Sequence, residues 1–151
     1  MYRLQLIGEP YSAIHIRNTD MKTDYSDALN ELAANRVSPL FVATDNKDVL
    51  EHFKSTLLSS RIFSFSDLGH NAGQTLHLNI KSTEEAFARN KDAILDLLTL
   101  ARADRLTLCK SDKNGIPKSG YSGYSLLARN LNKSQNVLKT LVGRDDVDHL
   151  W

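Results

Sequence analysis

A single cysteine, Cys109, serves the whole chain. One cysteine excludes an internal disulfide and any multi-cysteine metal site. Net charge is almost absent: +1 over 151 residues leaves no electrostatic footprint for nucleic acid or an anionic membrane surface. No apolar run reaches transmembrane length, and no signal-peptide pattern stands at the amino terminus. Internal repeats and low-complexity tracts are missing too. With none of these addresses present, the expected location is cytoplasmic, and neither a nucleic acid partner nor a membrane span is expected. What the chain does have is ordinary for a globular domain: 41% hydrophobic and 25% charged residues. A domain of this length buries about 68–70% of its unfolded surface, enough for a core without staples. Residues 1–151 therefore read as a single domain.

Strand-like and helix-like runs alternate along it. Ser12 to Arg17 reads as a strand. Asp24 to Asn35 reads as a helix with Tyr25, Ala28, Leu29 and Leu32 on one face and Asp24 or Ser26 available as a cap. Pro39 to Thr44 is a buried strand stopped by Asp45-Asn46, and Lys47 to Leu57 a helix with Val49, Leu50, Phe53 and Leu57 inward. Arg61 to Phe65 is a third strand, and Ser66 to Lys81 reads as a loop. Ser82-Thr83-Glu84-Glu85 has capping-box character and opens a helix to about Arg102. On that helix Phe87, Ile94, Leu95, Leu98 and Ala101 recur on one face. Arg105 to Cys109 is a fourth strand, which makes Cys109 an inert core thiol. A polar loop from Lys110 to Gly120 leads to helices at about Ser122–Asn132 and Ser134–Val142, before the acidic tail Asp145-Asp146-Val147-Asp148, expected to be solvated. Arg3 to Ile7 fits an edge strand or a helix remnant. Strands alternating with helices of this length imply parallel pairing and right-handed crossovers. The expected fold class is α/β, a Rossmann-like three-layer sandwich with a small, mainly parallel sheet.

Chemistry collects at the ends of the strands. The alternation of a strand puts Ala13, His15 and Arg17 on one face and Ile14 and Ile16 on the other. The first strand thus ends by presenting an imidazole and a guanidinium, followed by Asn18, Thr19 and Asp20. The second ends in Thr44-Asp45-Asn46. The fourth ends in Cys109-Lys110-Ser111 and leads to Ser119-Gly120-Tyr121-Ser122-Gly123-Tyr124-Ser125. If the strands are parallel, all three clusters share the carboxyl edge, where open α/β sheets bind ligands. The planar fork of Arg17 suits a phosphate or diphosphate. The Gly- and Ser-rich segment before a helix offers backbone N–H groups to the same anion, although Ser122 or Ser125 can equally be a helix cap. Asp96, set among Leu95, Leu97 and Leu98, requires a partner, either a ligand or an arginine such as Arg102 or Arg105. Tyr121 and Tyr124 fit either stacking on a base or sugar or packing in the core.

Other signals are weaker. Gly115-Ile116-Pro117-Lys118-Ser119 has the wrong spacing for a phosphate loop, with proline where glycine is needed. His70 and His77 lack a third metal ligand. Asp112-Lys113-Asn114-Gly115 reads as a turn rather than a calcium loop.

Three blocks in order resemble the core-fucosyltransferase and nodulation-fucosyltransferase family. His15-Ile16-Arg17-Asn18-Thr19-Asp20 is similar to its His-x-Arg-Arg-Thr-Asp motif. The stretch from Phe41 to Leu50 is similar to its strand-to-helix block, and Ala93 to Asp104 to a later helix. The Ser-rich segment before Leu127-Ala128-Arg129 matches the block after the next strand, so the resemblance spans about residues 12–132. It implies fucose transfer from GDP-fucose to a glycan hydroxyl by a GT-B-like enzyme without a metal, this chain being the donor-binding carboxyl-terminal half. Arg17 would grip the diphosphate, with Asn18 beside it. His15 and Asp96 would sit at the guanine, Ser122 would bond a phosphate oxygen, and Asp20 and Asp45 would line the sugar side; Tyr124 is a further substrate-binding candidate, from its capacity to stack. Arg17 and Asp20 are the expected catalytic pair. No cofactor is implied beyond the donor. The family's second arginine is Asn18 here, Met21 stands where lysine is common, and residues 112–118 look inserted. The family's amino-terminal half has no counterpart in this sequence, so a partner chain supplying it is one expectation. A non-enzymatic nucleotide-binding or partner module, a truncated or degenerate relic, is the alternative.

Overall fold

The computed structural model describes residues 2–19, 21–65, 68, 82–113 and 116–142. Four strands, β1 (Ser12–Ile16), β2 (Leu40–Thr44), β3 (Ile62–Phe63) and β4 (Arg105–Leu108), form one sheet in the order β3-β2-β1-β4. All three pairings are parallel. Helices α2 (Ser26–Ala34) and α3 (Lys47–Thr56) cover one face, while α1 (Tyr2–Ile7), α4 (Thr83–Ala101) and α5 (Gly123–Lys133) cover the other, with α6 (Gln135–Val142) packed outside them. The architecture is the expected Rossmann-like α/β sandwich with a small parallel sheet.

The alternation of the strands sorts the core. Ile14, Ile16, Leu40 and Val42 point to α2 and α3, where they meet Leu29, Leu32, Val49 and Phe53. Ala13, Phe41 and Ala43 point to the opposite side, where they meet Leu100 and Ala128. Every residue of β2 is buried, as its unbroken Leu-Phe-Val-Ala-Thr run requires of an interior strand. Caps end the helices as the side chains dictate. Asn46 Oδ1 accepts from the Asp48 and Val49 amides at the start of α3, and Ser82 Oγ accepts from the Glu85 amide at the start of α4. Tyr25 occupies the α2 cap position without a side-chain capping bond, and Asp24 instead accepts from the Ser26 amide. The end of α2 is a Schellman motif: Val37 N donates to Leu32 O and Arg36 N to Ala33 O, with Arg36 at φ 48°.

Of the two readings open for Arg3 to Ile7, the helix is the one observed: they belong to α1, and Gly8, at φ 75°, ends that helix. Three expectations need correction. The third strand keeps only Ile62–Phe63, because at the sheet margin it pairs with β2 alone. The stretch Lys110 to Gly120 is not a plain loop: β5 (Ser111–Lys113) and β6 (Ile116–Gly120) pair antiparallel. A strand at Ile116–Gly120 also rules out a phosphate loop there. On α4, Phe87 and Ile94 are 72% and 57% exposed, so the expected apolar stripe is buried only toward its end. Length explains this: a helix of 19 residues spans about 28 Å, whereas a strand of five spans about 17 Å. The acidic tail, His70 and His77 lie outside the described residues. No helix among the described residues is long and apolar enough to cross a membrane.

The start of β1 is tied to the α4–β4 corner. Tyr11 Oη donates to Thr99 O at 2.7 Å, the Tyr11 amide donates to Asp104 Oδ2 at 2.9 Å, and the Asp104 amide donates to Tyr11 O at 3.0 Å. Burial pushes the Tyr11 phenol well above its usual range. Replacing Tyr11 with Phe strands a buried carbonyl and is expected to cost about 1 kcal/mol in urea unfolding. Arg36→Gly is expected to add about 0.5–1 kcal/mol, because glycine occupies the left-handed region without steric cost. A loss of stability in Arg36→Gly would contradict the cap assignment.

Candidate functional site

The strand order runs outward from β1 in both directions. From β1 the chain crosses by α2 to β2 and by α3 to β3, then returns through α4 on the opposite face to β4 on the other side of β1. The β1–β4 boundary is therefore the topological switch point, and its carboxyl edge is where such sheets open a crevice. His15 lies opposite Ala43 of β2 and Leu108 of β4, so the polar segments after Ile16, Thr44 and Leu108 do share that edge.

His15 faces the α4–α5 side. Its Nδ1 is 2.7 Å from Ser125 Oγ, and its ring lies 4.8 Å from the Tyr124 ring at 40°. Ser122 caps α5: its Oγ accepts from the Ser125 amide at 3.1 Å and donates to Ser125 Oγ at 3.0 Å. Of the two roles open to Ser122 in the sequence, capping is the one the structure displays. Tyr124 Oη donates to Ala93 O, which fixes α5 to α4 one turn before Asp96. Tyr124 thus packs its ring on His15 and anchors its hydroxyl on a helix backbone. Asp96 is buried in α4 and is not without a partner.

Arg17 follows β1 at the edge, partly buried and engaged. Its carbonyl accepts from Thr23 Oγ1, which also meets Ser111 Oγ at 2.9 Å. The Asp112 amide donates to Lys22 O at 2.7 Å. These bonds strap the loop after β1 to the β5–β6 hairpin. On the other side Asp45 holds the same loop: Oδ1 accepts from the Asn18 amide at 2.8 Å and Oδ2 from Thr19 Oγ1 at 2.6 Å. Asn46 Nδ2 adds a bond to Asn18 O at 3.2 Å. The Asp45 carboxylate is occupied as a clamp on the Arg17 loop. Asp20 lies outside the described residues.

The structure therefore gathers His15, Arg17, Asn18, Asp45, Ser122 and Tyr124 around one edge, while Asp96 sits in the helix behind it. Sequence reasoning placed Ser111 and Ser125 in the fourth strand-end cluster but gave neither a specific contact beyond a candidate cap at Ser125, and passed over Thr23. Ser125 carried one signal: the 125, 128, 131 spacing that turns one side of α5 inward. Cys109 lies just past β4 and is buried. Burial, reinforced by Asp24, pushes its thiol up to about 11, so it is neutral at physiological pH. Among the described residues no group of three or more His, Cys, Asp or Glu could hold a metal ion. Comparison with protein-family models, with curated proteins and with solved structures found no match.

Burial lowers the His15 pKa to about 4; Asp45 works against that shift and Arg17 with it. The unfolded chain therefore takes up a proton between about pH 6.5 and 4 that the folded chain refuses. The resulting contribution to stability is intact above about pH 6.5 and is lost as pH falls toward 4. Thermal unfolding midpoints should fall more steeply over that interval in the native protein than in His15→Asn. Parallel profiles would contradict the assignment.

Proposed function

We propose that this domain binds a nucleoside-diphosphate sugar at the β1–β4 carboxyl edge and serves as the donor domain of a glycosyltransferase. GDP-fucose is the donor to which the motif resemblance points. The observation that carries the reading is the reversal of strand order at β1, with Arg17 just beyond the reversed strand. The first turn of α5 meets the same strand at His15 through Ser125. There the amides of Gly123 and Tyr124 precede the first helical bond, which runs from Leu126 N to Ser122 O. Helix N–H groups and a guanidinium together suit a diphosphate.

In this reading the acceptor oxygen bonds to the anomeric carbon as the sugar–diphosphate bond breaks. The electron pair leaves with the diphosphate, and the hydroxyl proton passes to a base. Arg17 and the α5 amides offset the charge that grows on the leaving group. Ser122 contributes by holding the first turn of α5 in place. Asp45 contributes by fixing the Asn18–Thr19 backbone that carries Arg17. Asp20, one residue further, supplies the carboxylate on the sugar side, and Asp96 the acceptor for the N–H donors of a base.

A second reading is a nucleotide-binding or partner module without transfer activity. It is favoured by Asn18, which leaves one cation where the resembling family has two, and by the internal engagement of Asp45 and Ser122. The transferase and a nucleotide-binding module share the binding step and part at sugar transfer.

Calorimetry with GDP tests the shared step. Arg17→Ala should weaken binding about 10- to 100-fold, the loss expected for one charge-assisted contact of about 1.5–3 kcal/mol. Absence of binding by any nucleoside diphosphate would overturn the transferase reading and leave a partner module that binds no nucleotide. Release of fucose to a glycan acceptor would decide for the transferase, and binding without transfer for the module.

A further inference from the structure

Ser125 is buried, polar and aimed at the one imidazole of the sheet edge. Following the protons through that contact gives a specific result. Ser122 Oγ has two geometric neighbours, the Ser125 amide and Ser125 Oγ. The amide gives a proton, so the Ser122 hydroxyl proton must go to Ser125 Oγ, its acceptor in the structure. The Ser125 proton then has one acceptor left, His15 Nδ1 at 2.7 Å. If instead Nδ1 carried the proton, two donors would converge on Ser125 Oγ. The Ser125 proton would then have no acceptor in a buried site, a costly arrangement.

We infer that Ser125, backed by Ser122, is a positioning residue that holds His15 as a neutral imidazole protonated on Nε2, so that the ring offers an N–H donor to an acceptor atom of the bound nucleotide. The inference rests on the nucleotide reading for the identity of the ligand, but not for the state of the ring. Nε2 makes no hydrogen bond with a described residue, and Gln135 Oε1 is the single buried side-chain polar atom among them left without a partner. Nε2 is therefore not sealed from solvent. The Tyr124 ring, anchored through Ala93 O, holds the imidazole plane from the side.

Among the described residues, the charged and titratable groups around the ring are few. Arg17 comes from the end of β1 and Asp45 from the end of β2. The β4 side contributes Leu108, while Cys109 packs on the opposite face of the sheet; α4 carries the buried Asp96, and α5 presents Tyr124 and the two serines. Burial outweighs Asp45 and keeps the ring neutral at physiological pH. A ring in this state donates but does not act as a cation. It therefore adds direction to ligand binding with no charge of its own.

Nitrogen-15 NMR of the labelled full chain tests this directly, because the two ring nitrogens report protonation separately. The chain has five histidines, and His15→Gln identifies the relevant signals by their loss. The native spectrum should show Nδ1 unprotonated and Nε2 protonated at pH 7, with no titration near pH 6.5. In Ser125→Ala, with circular dichroism unchanged, the tautomer should redistribute and GDP affinity fall about threefold to tenfold, the loss of one oriented hydrogen bond. Ser122→Ala leaves the Ser125 hydroxyl in place and should shift the ring signals less; it serves if Ser125→Ala fails to fold. A proton on Nδ1 in the native protein, or a Ser125→Ala spectrum identical to native, would overturn the inference. Addition of GDP should move the Nε2 signal; addition of inorganic pyrophosphate alone would move it too if the acceptor is a diphosphate oxygen. GDP binding with Nε2 unmoved would refute the donor role while leaving the nucleotide reading intact. Absence of GDP binding would count against the nucleotide reading, with the tautomer spectra still deciding the state of the ring.

Discussion

β1 is hydrogen-bonded on both sides by parallel neighbours, and every feature of the candidate site follows from that double pairing. Parallel register brings the ends of β1, β2 and β4 to one edge. Reversal of the strand order at β1 opens that edge between two helical layers. The strand itself is short and nearly buried, so its last residues cannot move without disturbing Ile14 and Ile16 on one face and Ala13 on the other. Side chains presented from such a strand are better fixed than side chains on a free loop.

The polar groups at the edge divide into holders and presenters. Asp45, Asn46, Thr23 and Ser111 hold the backbone after β1, from the β2 side and from the β5–β6 hairpin. Ser122 and Ser125 hold His15 and the first turn of α5. In the proposed reading Arg17 and His15 meet the ligand, one a permanent cation and the other kept neutral by burial. A charged and an uncharged donor side by side can distinguish an anionic oxygen from a neutral acceptor on the same molecule. The carboxylate of Asp45 and the hydroxyl of Ser122 both make hydrogen bonds within the protein.

Much of the fold was legible because its signals are local. The Leu-Phe-Val-Ala-Thr run announces an interior strand, Ser82 announces a helix start, and the apolar spacing of α3 announces its buried side. The strand-end clusters were legible for the same reason. What escaped was whatever depends on partners distant in sequence. Ser125 and His15 are 110 positions apart, and Thr23 and Ser111 are 88 apart; no periodicity records such a pair. The hairpin at Ser111–Gly120 was hidden by its polar composition, which lacks the alternation of a half-buried strand. The exposure of Phe87 and Ile94 was hidden because helix spacing reveals an apolar side but not how far the sheet beneath it extends.

Amide chemical-shift mapping during GDP titration addresses the central claim most directly, since it locates a ligand without presuming which residue binds it. Shifts concentrated at residues 15–19, 109–112 and 121–125 are the predicted result. Shifts confined to the opposite edge of the sheet, around Tyr11, Pro39 and Asp104, would contradict the claim that the carboxyl end of β1 is the functional site.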